Sequence, residues 1–434
     1  MKKFILMLVF LLSFMFVFGG IASALEVKAK GSWRVHTNYV MNKEFDKDTK
    51  YDRFNAWQRA RTIFEFVSSD NVKGVLQFEI GDTKWGKDDG ALNTDGKNIK
   101  TKHAYLDFKV LDTQVKAGLQ PLELPSVFGS HILSADVGAF LVSRQLTDMF
   151  GLTLGWARPY DQDDINPIRT DKHWNDEVDV FLLVVPVALD GLTLNPFFVV
   201  SKFGKDYLNT PSNATMYHGG LNFELSMFNP VVLKGDFNYG HVKWNDNFKQ
   251  SGWVAVLAAQ YKMDLFTPEL FGFYETGEDK DFRNSKTMPV IGTDGGAFGP
   301  GVGLGSNTEF NMDNLLRDAL YVMHSDYQNQ EGALGVKGVG AALRDIQLVD
   351  KLSHEVVVYY VVGNNHENNY SLMTTKDKYY EANFNTKYQI YESLALVLET
   401  AYGKLKLDDL GTGSRGSMFE DGMVRVVGGF VYKF

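Results

Sequence analysis

The stretch EVKAKGSWRVHTNY, residues 26–39, decides the fold. Val27, Ala29, Gly31, Trp33, Val35, Thr37 and Tyr39 share one face, and Lys28, Lys30, Ser32, Arg34, His36 and Asn38 share the other. Strict alternation is strand periodicity, and this run exceeds the usual strand of about 5–6 residues. A tilted membrane strand needs about 9–11 residues, which this segment supplies.

The pattern recurs along the chain. Ala60, Thr62, Phe64 and Phe66 alternate with Arg59, Arg61, Ile63 and Glu65, and Leu233, Gly235, Phe237 and Tyr239 alternate with Lys234, Asp236 and Asn238. The last segment sets Val424, Val426, Gly428, Phe430, Tyr432 and Phe434 against Arg425, Val427, Val431 and Lys433. Connections alternate as well. Eight short turns fall between residues 68–71 and 389–393, and nine long polar ones separate them, among them 41–56, 121–138, 278–331 and 405–421. Short turns on one side and long loops on the other are the rhythm of outer-membrane barrels, and these connections join about 18 strands, with sixteen as the competing count. The fold expected is all-β: a large antiparallel transmembrane barrel of about 16–18 strands.

A sheet can cross hydrocarbon only if it closes on itself, because every backbone N–H and C=O must be paired there. The polar face then lines a water-filled lumen, which a barrel of this size is too wide to plug with side chains. Aromatics near strand ends, namely Trp33, Tyr39, Trp57, Tyr239, Trp253, Tyr261, Tyr402 and Tyr432, are expected in the interfacial girdles. Residues 178–187 fit poorly, being nearly all apolar, and Pro186 and Pro196 fall near or inside strands.

Met1, Lys2 and Lys3, an apolar run from Phe4 to Phe18, and Ala22-Ser23-Ala24 make a secretory signal cut after Ala24, leaving residues 25–434 as one barrel domain. The chain has no cysteine, so disulfides and Cys-based metal or catalytic sites are excluded. A net charge of -9 without a basic tail argues against nucleic acid as a partner. No His pair has metal-site spacing, and no cofactor is expected. Asp294-Gly295-Gly296 lacks the full ligand spacing of a calcium loop, and Gly299 to Gly305 lacks the lysine of a phosphate loop. Ser353-His354-Glu355 are adjacent, which is no triad geometry by itself, and no enzymatic activity is expected.

Residues 428–434 (GGFVYKF) resemble the C-terminal signature of outer-membrane proteins, whose terminal Phe and alternating aromatics are read by the barrel assembly machinery; here those positions are Phe430, Tyr432 and Phe434. The chain from residue 25 onward resembles the general trimeric porins, and within them the homotrimeric porins of sulfate-reducing bacteria, on EVKAKGSW (26–33), GLTLGWARPY (151–160) and the last strand. The resemblance implies a homotrimer in outer-membrane lipid that passes small hydrophilic solutes by passive diffusion. It also implies a third external loop folded into the barrel, here 121–138, carrying only Glu123 and Asp136 as acids.

Parity places Arg34, Arg59, Arg61 and Arg425 on the lumen face of the first, second and last strands, which become neighbours on closure; Lys28, Lys30, Lys73 and His36 extend that wall. A basic wall facing Glu123 and Asp136 would polarise the constriction and favour anions. Two other readings are a substrate-specific channel for sugars or organic acids and a secreted soluble β-protein that binds carbohydrate. Whether the 278–331 loop caps the barrel or enters it is left open by the sequence.

Overall fold

The computed structural model describes residues 25–46, 51–87, 90–93, 99–161, 176–207, 212–281, 283–293, 309–310, 315–316, 319, 334–368, 373–410 and 421–434. The expected secretory signal, Asp294–Gly296 and Gly299–Gly305 lie outside these residues.

The strands run β1 (Glu26–Met41), β2 (Arg53–Ser69), β3 (Val72–Lys84), β4 (Ile99–Val110), β5 (Thr113–Glu123), β6 (Leu133–Gln145) and β7 (Gly151–Tyr160). Then come β8 (Val178–Val184), β9 (Val187–Leu189), β10 (Leu192–Phe203), β11 (Ala214–Phe228), β12 (Val231–Lys243), β13 (Lys249–Tyr261) and β14 (Thr267–Glu275). Two-residue strands β15 (Asn284–Ser285) and β16 (Gly292–Thr293) lie in a loop, followed by β17 (Val336–Val349), β18 (Leu352–Gly363), β19 (Lys378–Tyr391), β20 (Leu394–Lys406) and β21 (Gly422–Lys433). Each barrel strand pairs antiparallel with its sequence neighbour, and β21 pairs back onto β1 from Ser32↔Lys433 to Met41↔Val424. With β8 and β9 counted as one stave, the closed barrel has 18 strands. Sixteen is set aside, and closure removes the soluble β-protein.

Outward positions are apolar and exposed around the ring, for example Trp33, Phe140, Phe198, Leu257, Leu270, Val339 and Phe430. Exposed apolar side chains on every side of a closed barrel describe a lipid-facing belt, and the chain has the fold of a multi-pass outer-membrane protein. Among the expected girdle aromatics, Trp57 is the exception. It pairs with His36 in the β1–β2 ladder and so faces the lumen, as its shared parity with Arg59 requires.

The seam between β1 and β21 ends in a close fit. Gly31 and Phe434 exchange backbone hydrogen bonds at 2.9 and 3.2 Å. A Cβ on Gly31 would stand 2.4 Å from the Arg61 carbonyl oxygen and 2.9 Å from the Phe434 ring, so only glycine fits there. Trp33, Tyr432 and Phe434 pack edge-on and stacked beside it on the outer face.

The apolar run 178–187 is explained by what covers the lumen face. Val178, Val180, Leu182 and Val184 point inward and are buried with Val199, Met216, Val242, Val254 and Val256 beneath inserted loop segments. Lipid on one side and loop on the other make both faces apolar. At the interruption between β8 and β9 the ladder is kept by Val185 N–H to the Pro196 carbonyl (3.0 Å) and Gly151 N–H to the Pro186 carbonyl (2.9 Å).

Leu257→Arg places a charge on the lipid face in the middle of β13 and is expected to destabilise the folded barrel by about 2–4 kcal/mol in denaturant unfolding from bilayers. An equal substitution at a lumen-facing position should cost far less, and equal costs at both would contradict this assignment of faces.

Candidate functional site

The lumen has two unlike sides. One is covered by a strap made of residues 124–132, between β5 and β6, and residues 284–293, between β14 and β17. β15 pairs in parallel with Lys249–Gln250 of β13, and β16 pairs in parallel with Leu133–Ser134 of β6. The chain between them crosses the barrel interior. Ile291 and Gly292 N–H groups both donate to the Ile132 carbonyl, at 3.0 and 3.2 Å, joining the two pieces.

Apolar anchors hold the strap down: Leu124, Phe128, Ile132, Leu133, Met288 and Ile291 are all buried. Polar anchors fix its register. The Asp236 carboxylate on β12 accepts from the Ser126 hydroxyl and from Val127 N–H at 3.0 Å, and His218 on β11 bonds the Pro289 carbonyl at 2.8 Å. His131, within the strap, is completely enclosed, and burial pushes its imidazole down to about 4.

The expected constriction loop, 121–138, is therefore corrected. Pro121, Leu122 and Glu123 belong to β5 and residues 133–138 to β6, so the loop itself is 124–132. Glu123 accepts Ser130 N–H at 3.1 Å and braces its own loop. Asp136 sits opposite Pro121, out of phase with the Gln120↔Val137 row, and is paired with Lys102 and with His103 at 2.8 Å. Neither acid faces the basic wall. The physical reason is that the β5–β6 ladder runs on through Glu123↔Ser134 and takes both residues into paired strand.

The ladder registers show which members of the expected basic wall are neighbours. Arg34 stands directly opposite Arg59, Ser32 opposite Arg61, and Val40 opposite Arg425. Counter-charges then sort its members. Lys28 pairs with Glu26 at 3.4 Å, and both are well exposed. Lys30 and Lys73 share the Glu65 carboxylate at 2.9 and 3.4 Å, and Arg61 binds Glu79 at 2.6 Å. Arg425 is buried at the top of the wall. Arg34 and Arg59 are different. Among the described residues neither pairs with a carboxylate, and the Nε of each is buried without a hydrogen-bond partner. Like charges directly opposite in a ladder are destabilising, so this row carries a cost that a visiting anion would relieve. Gly81, opposite Arg59 at a register shift and with φ of 74°, kinks β3 beside the pair, a bulge of the kind that re-aims neighbouring side chains.

Sequence reasoning missed three parts of the lumen. The first is the brace of Arg344 with Glu269 (2.6 Å) and Glu355 (3.0 Å). The second is Glu381, which accepts the backbone N–H groups of Leu315 (3.3 Å) and Leu316 (3.0 Å) and the Tyr379 hydroxyl (2.6 Å). Leu315, Leu316 and Ala319 are helical and fully buried. The third is Glu309, which reaches Lys387 and Lys433 on the lumen wall. The long loop between β14 and β17 therefore enters the barrel. Alternation could reveal none of these, because loop residues have no face periodicity.

Ser353 and Glu355 do not join His354 as a triad: His354 Nδ1 bonds Thr386 at 2.9 Å, and Glu355 is held by Arg344. Among the described residues no group of three or more His, Asp or Glu could hold a metal ion.

No protein-family model matches the chain, and no curated protein matches it in sequence. Solved structures do. OccK11 (OpdR) of Pseudomonas aeruginosa superposes with a TM-score of 0.55 at 11% identity, over 96% of this chain and 99% of that one. OccAB1 of Acinetobacter baumannii gives 0.53 at 15% identity over 94% and 97%, and the outer membrane protein OprD of P. aeruginosa gives 0.51 at 12% over 94% of each. At such identities the likeness establishes the fold, a closed outer-membrane barrel.

Because the folded-state imidazole of His131 lies below its ordinary value near 6.5, the strap holds in full above that pH and loses stability as pH falls toward about 4. Protection factors at the amides of Leu124 and Ile291, corrected for the intrinsic exchange rate, should fall over that window, and His131→Phe should abolish the change. Protection independent of pH in the unaltered protein would contradict it.

Proposed function

We propose that this chain is an outer-membrane diffusion channel that prefers small anionic solutes and works as a homotrimer of the general-porin type. The observation that carries the reading is the Arg34–Arg59 row: two guanidinium groups, face to face on the lumen wall, neither of them paired with a carboxylate among the described residues. In a narrow, partly dehydrated passage such a pair raises the local concentration of anions and lowers the barrier to their transit. The apolar strap on the opposite side presses the aqueous path toward that wall. The overall charge of -9 does not oppose this preference, since the field that matters is that of the lumen. Trimerisation, the kinship with porins of sulfate-reducing bacteria and assembly signalling by Phe430, Tyr432 and Phe434 are supported by the sequence resemblance. Phe430 and Tyr432 lie on the outer face of β21, where assembly factors and lipid have access.

A second reading, a channel specific for one class of organic acid, is favoured by the depth to which the loops fill the lumen. A sugar-stacking track finds less support. Tyr379 is fully buried against Glu381, and Tyr207 is taken up by Tyr160 and Phe203. Liposome swelling with a size series separates the two readings, since a general pore sorts by size and a specific one saturates.

Arg34→Gln/Arg59→Gln removes two positive charges from the passage. The chloride-to-potassium permeability ratio, read from the reversal potential in a salt gradient, should fall by about threefold or more, with a larger effect at low ionic strength. Substituting the already paired Arg61 should move it less. A ratio unchanged in the double variant would remove the Arg34–Arg59 row from the selectivity mechanism.

A further inference from the structure

The long loop between β14 and β17 carries a dipeptide that behaves as a ligand. Oε1 of Glu309 lies 2.8 Å from Lys387 Nζ on β19 and 2.9 Å from Lys433 Nζ on β21, so one carboxylate oxygen bridges two ammonium groups on different strands. Phe310, the next residue, is buried against Ala395, Val397, Val427 and Val431, and its ring lies 4.6 Å from that of His36. Its backbone N–H donates to Glu399 at 2.9 Å. Lys387 and Lys433 lie close to the short turn at residues 392–393, toward the side of the barrel opposite the long loops. Glu309 and Phe310 therefore lie deep in the lumen.

Charge explains why the dipeptide stops there. The two lysines bring two positive charges into one small space, and Glu309 cancels one of them. Burial alone would raise its carboxyl, but the hydrogen bonds from Lys387 and Lys433 outweigh that and hold it below the usual carboxylate range. Beside it is a cavity of about 160 Å³ lined by Asp345, His354, Glu355, Asn385, Lys387 and Glu399. Of its three carboxylates, Glu355 is held by Arg344 and Glu399 by Phe310 N–H, and among the described residues Asp345 makes no ion pair with either lysine, so Glu309 alone occupies them.

We propose that Lys387 and Lys433 form an anion-binding site in the conduction path whose resident ligand is the chain's own Glu309, which makes the loop a tethered competitor of small carboxylate solutes. The idea rests on the channel reading above and adds a specificity-determining residue to it. While Glu309 is seated, it narrows the lower lumen and screens the two lysines. When a solute carboxylate takes its place, the dipeptide leaves and the path clears. Tethering gives Glu309 a high effective concentration, so the seated state dominates without solute.

The test compares single-channel currents of the full-length protein and three variants in planar bilayers, with correct folding checked by heat-modifiable migration on gels. Glu309→Gln and the double variant Lys387→Gln/Lys433→Gln both unseat the loop, so both should raise conductance, by about twofold. Their selectivities should move in opposite directions: Glu309→Gln exposes both lysines and raises the chloride preference, while the double lysine variant lowers it. Phe310→Ala removes the apolar anchor, keeps every charge, and should follow Glu309→Gln in both respects. Replacing chloride by acetate at equal ionic strength should lengthen the high-conductance state of the unaltered protein and have no effect on the lysine variant. Selectivity shifts of the same sign in the glutamate and lysine variants, or a high-conductance state indifferent to acetate, would overturn the proposal. Should either polar variant fail to fold, Phe310→Ala and the acetate series decide it alone. The Arg34–Arg59 reading stands or falls on the arginine variants, whereas this one depends on the opposite signs and on acetate.

Discussion

Closure is the constraint on which everything else depends. An unpaired backbone amide in hydrocarbon costs several kcal/mol, so β1 cannot cross the membrane unless its free edge finds a partner. It finds β21, about four hundred residues away in sequence, with ten paired positions and a glycine at the point where Phe434 crosses. Closure also completes the wall: Arg34 and Arg59 face each other across the β1–β2 ladder, and Arg425 on β21 joins them because first and last strands meet.

Closing 18 strands leaves an interior too wide for side chains, and this protein fills part of it with its own loops. The filling is asymmetric. Beneath the strap, β8 to β14 turn valine, leucine and phenylalanine inward, and the interior there is a small hydrophobic core. Across from it, β1 to β4 carry arginine, lysine and glutamate in alternating contact. Packing closes the first side to water, and the proposed path for solutes runs along the second. Where the charges on that second side are matched they act as braces, and where they are unmatched, at Arg34 and Arg59, they are available to a passing ion. The proposed anion preference rests on that row.

Most of the barrel was legible in the sequence, because period-two alternation and the short/long rhythm of connections are local signals. Eight short turns and nine long loops fix 18 strands, and parity alone put Arg34, Arg59, Arg61 and Arg425 on the lumen wall. The same parity applied to Trp57 would have moved it inward; its proximity to a strand end suggested the girdle instead. Illegible parts share one cause. Glu309 meets Lys433 across 124 residues, and Ser126 meets Asp236 across 110, contacts made by loops whose side chains obey no face pattern. The inward apolar run 178–187 looked anomalous because its cover is an inserted loop, invisible to any local window. Glu123 and Asp136 were assigned to a loop because composition marked one where the β5–β6 ladder continues.

The most direct test of the account is the current carried by the unaltered protein in a planar bilayer under a potassium chloride gradient. An open, charged lumen with Arg34 and Arg59 on its wall predicts discrete conductance steps and a reversal potential displaced toward the chloride equilibrium value. A folded barrel that inserts yet reverses toward the potassium value would contradict the central claim, and one that never conducts would contradict the channel itself.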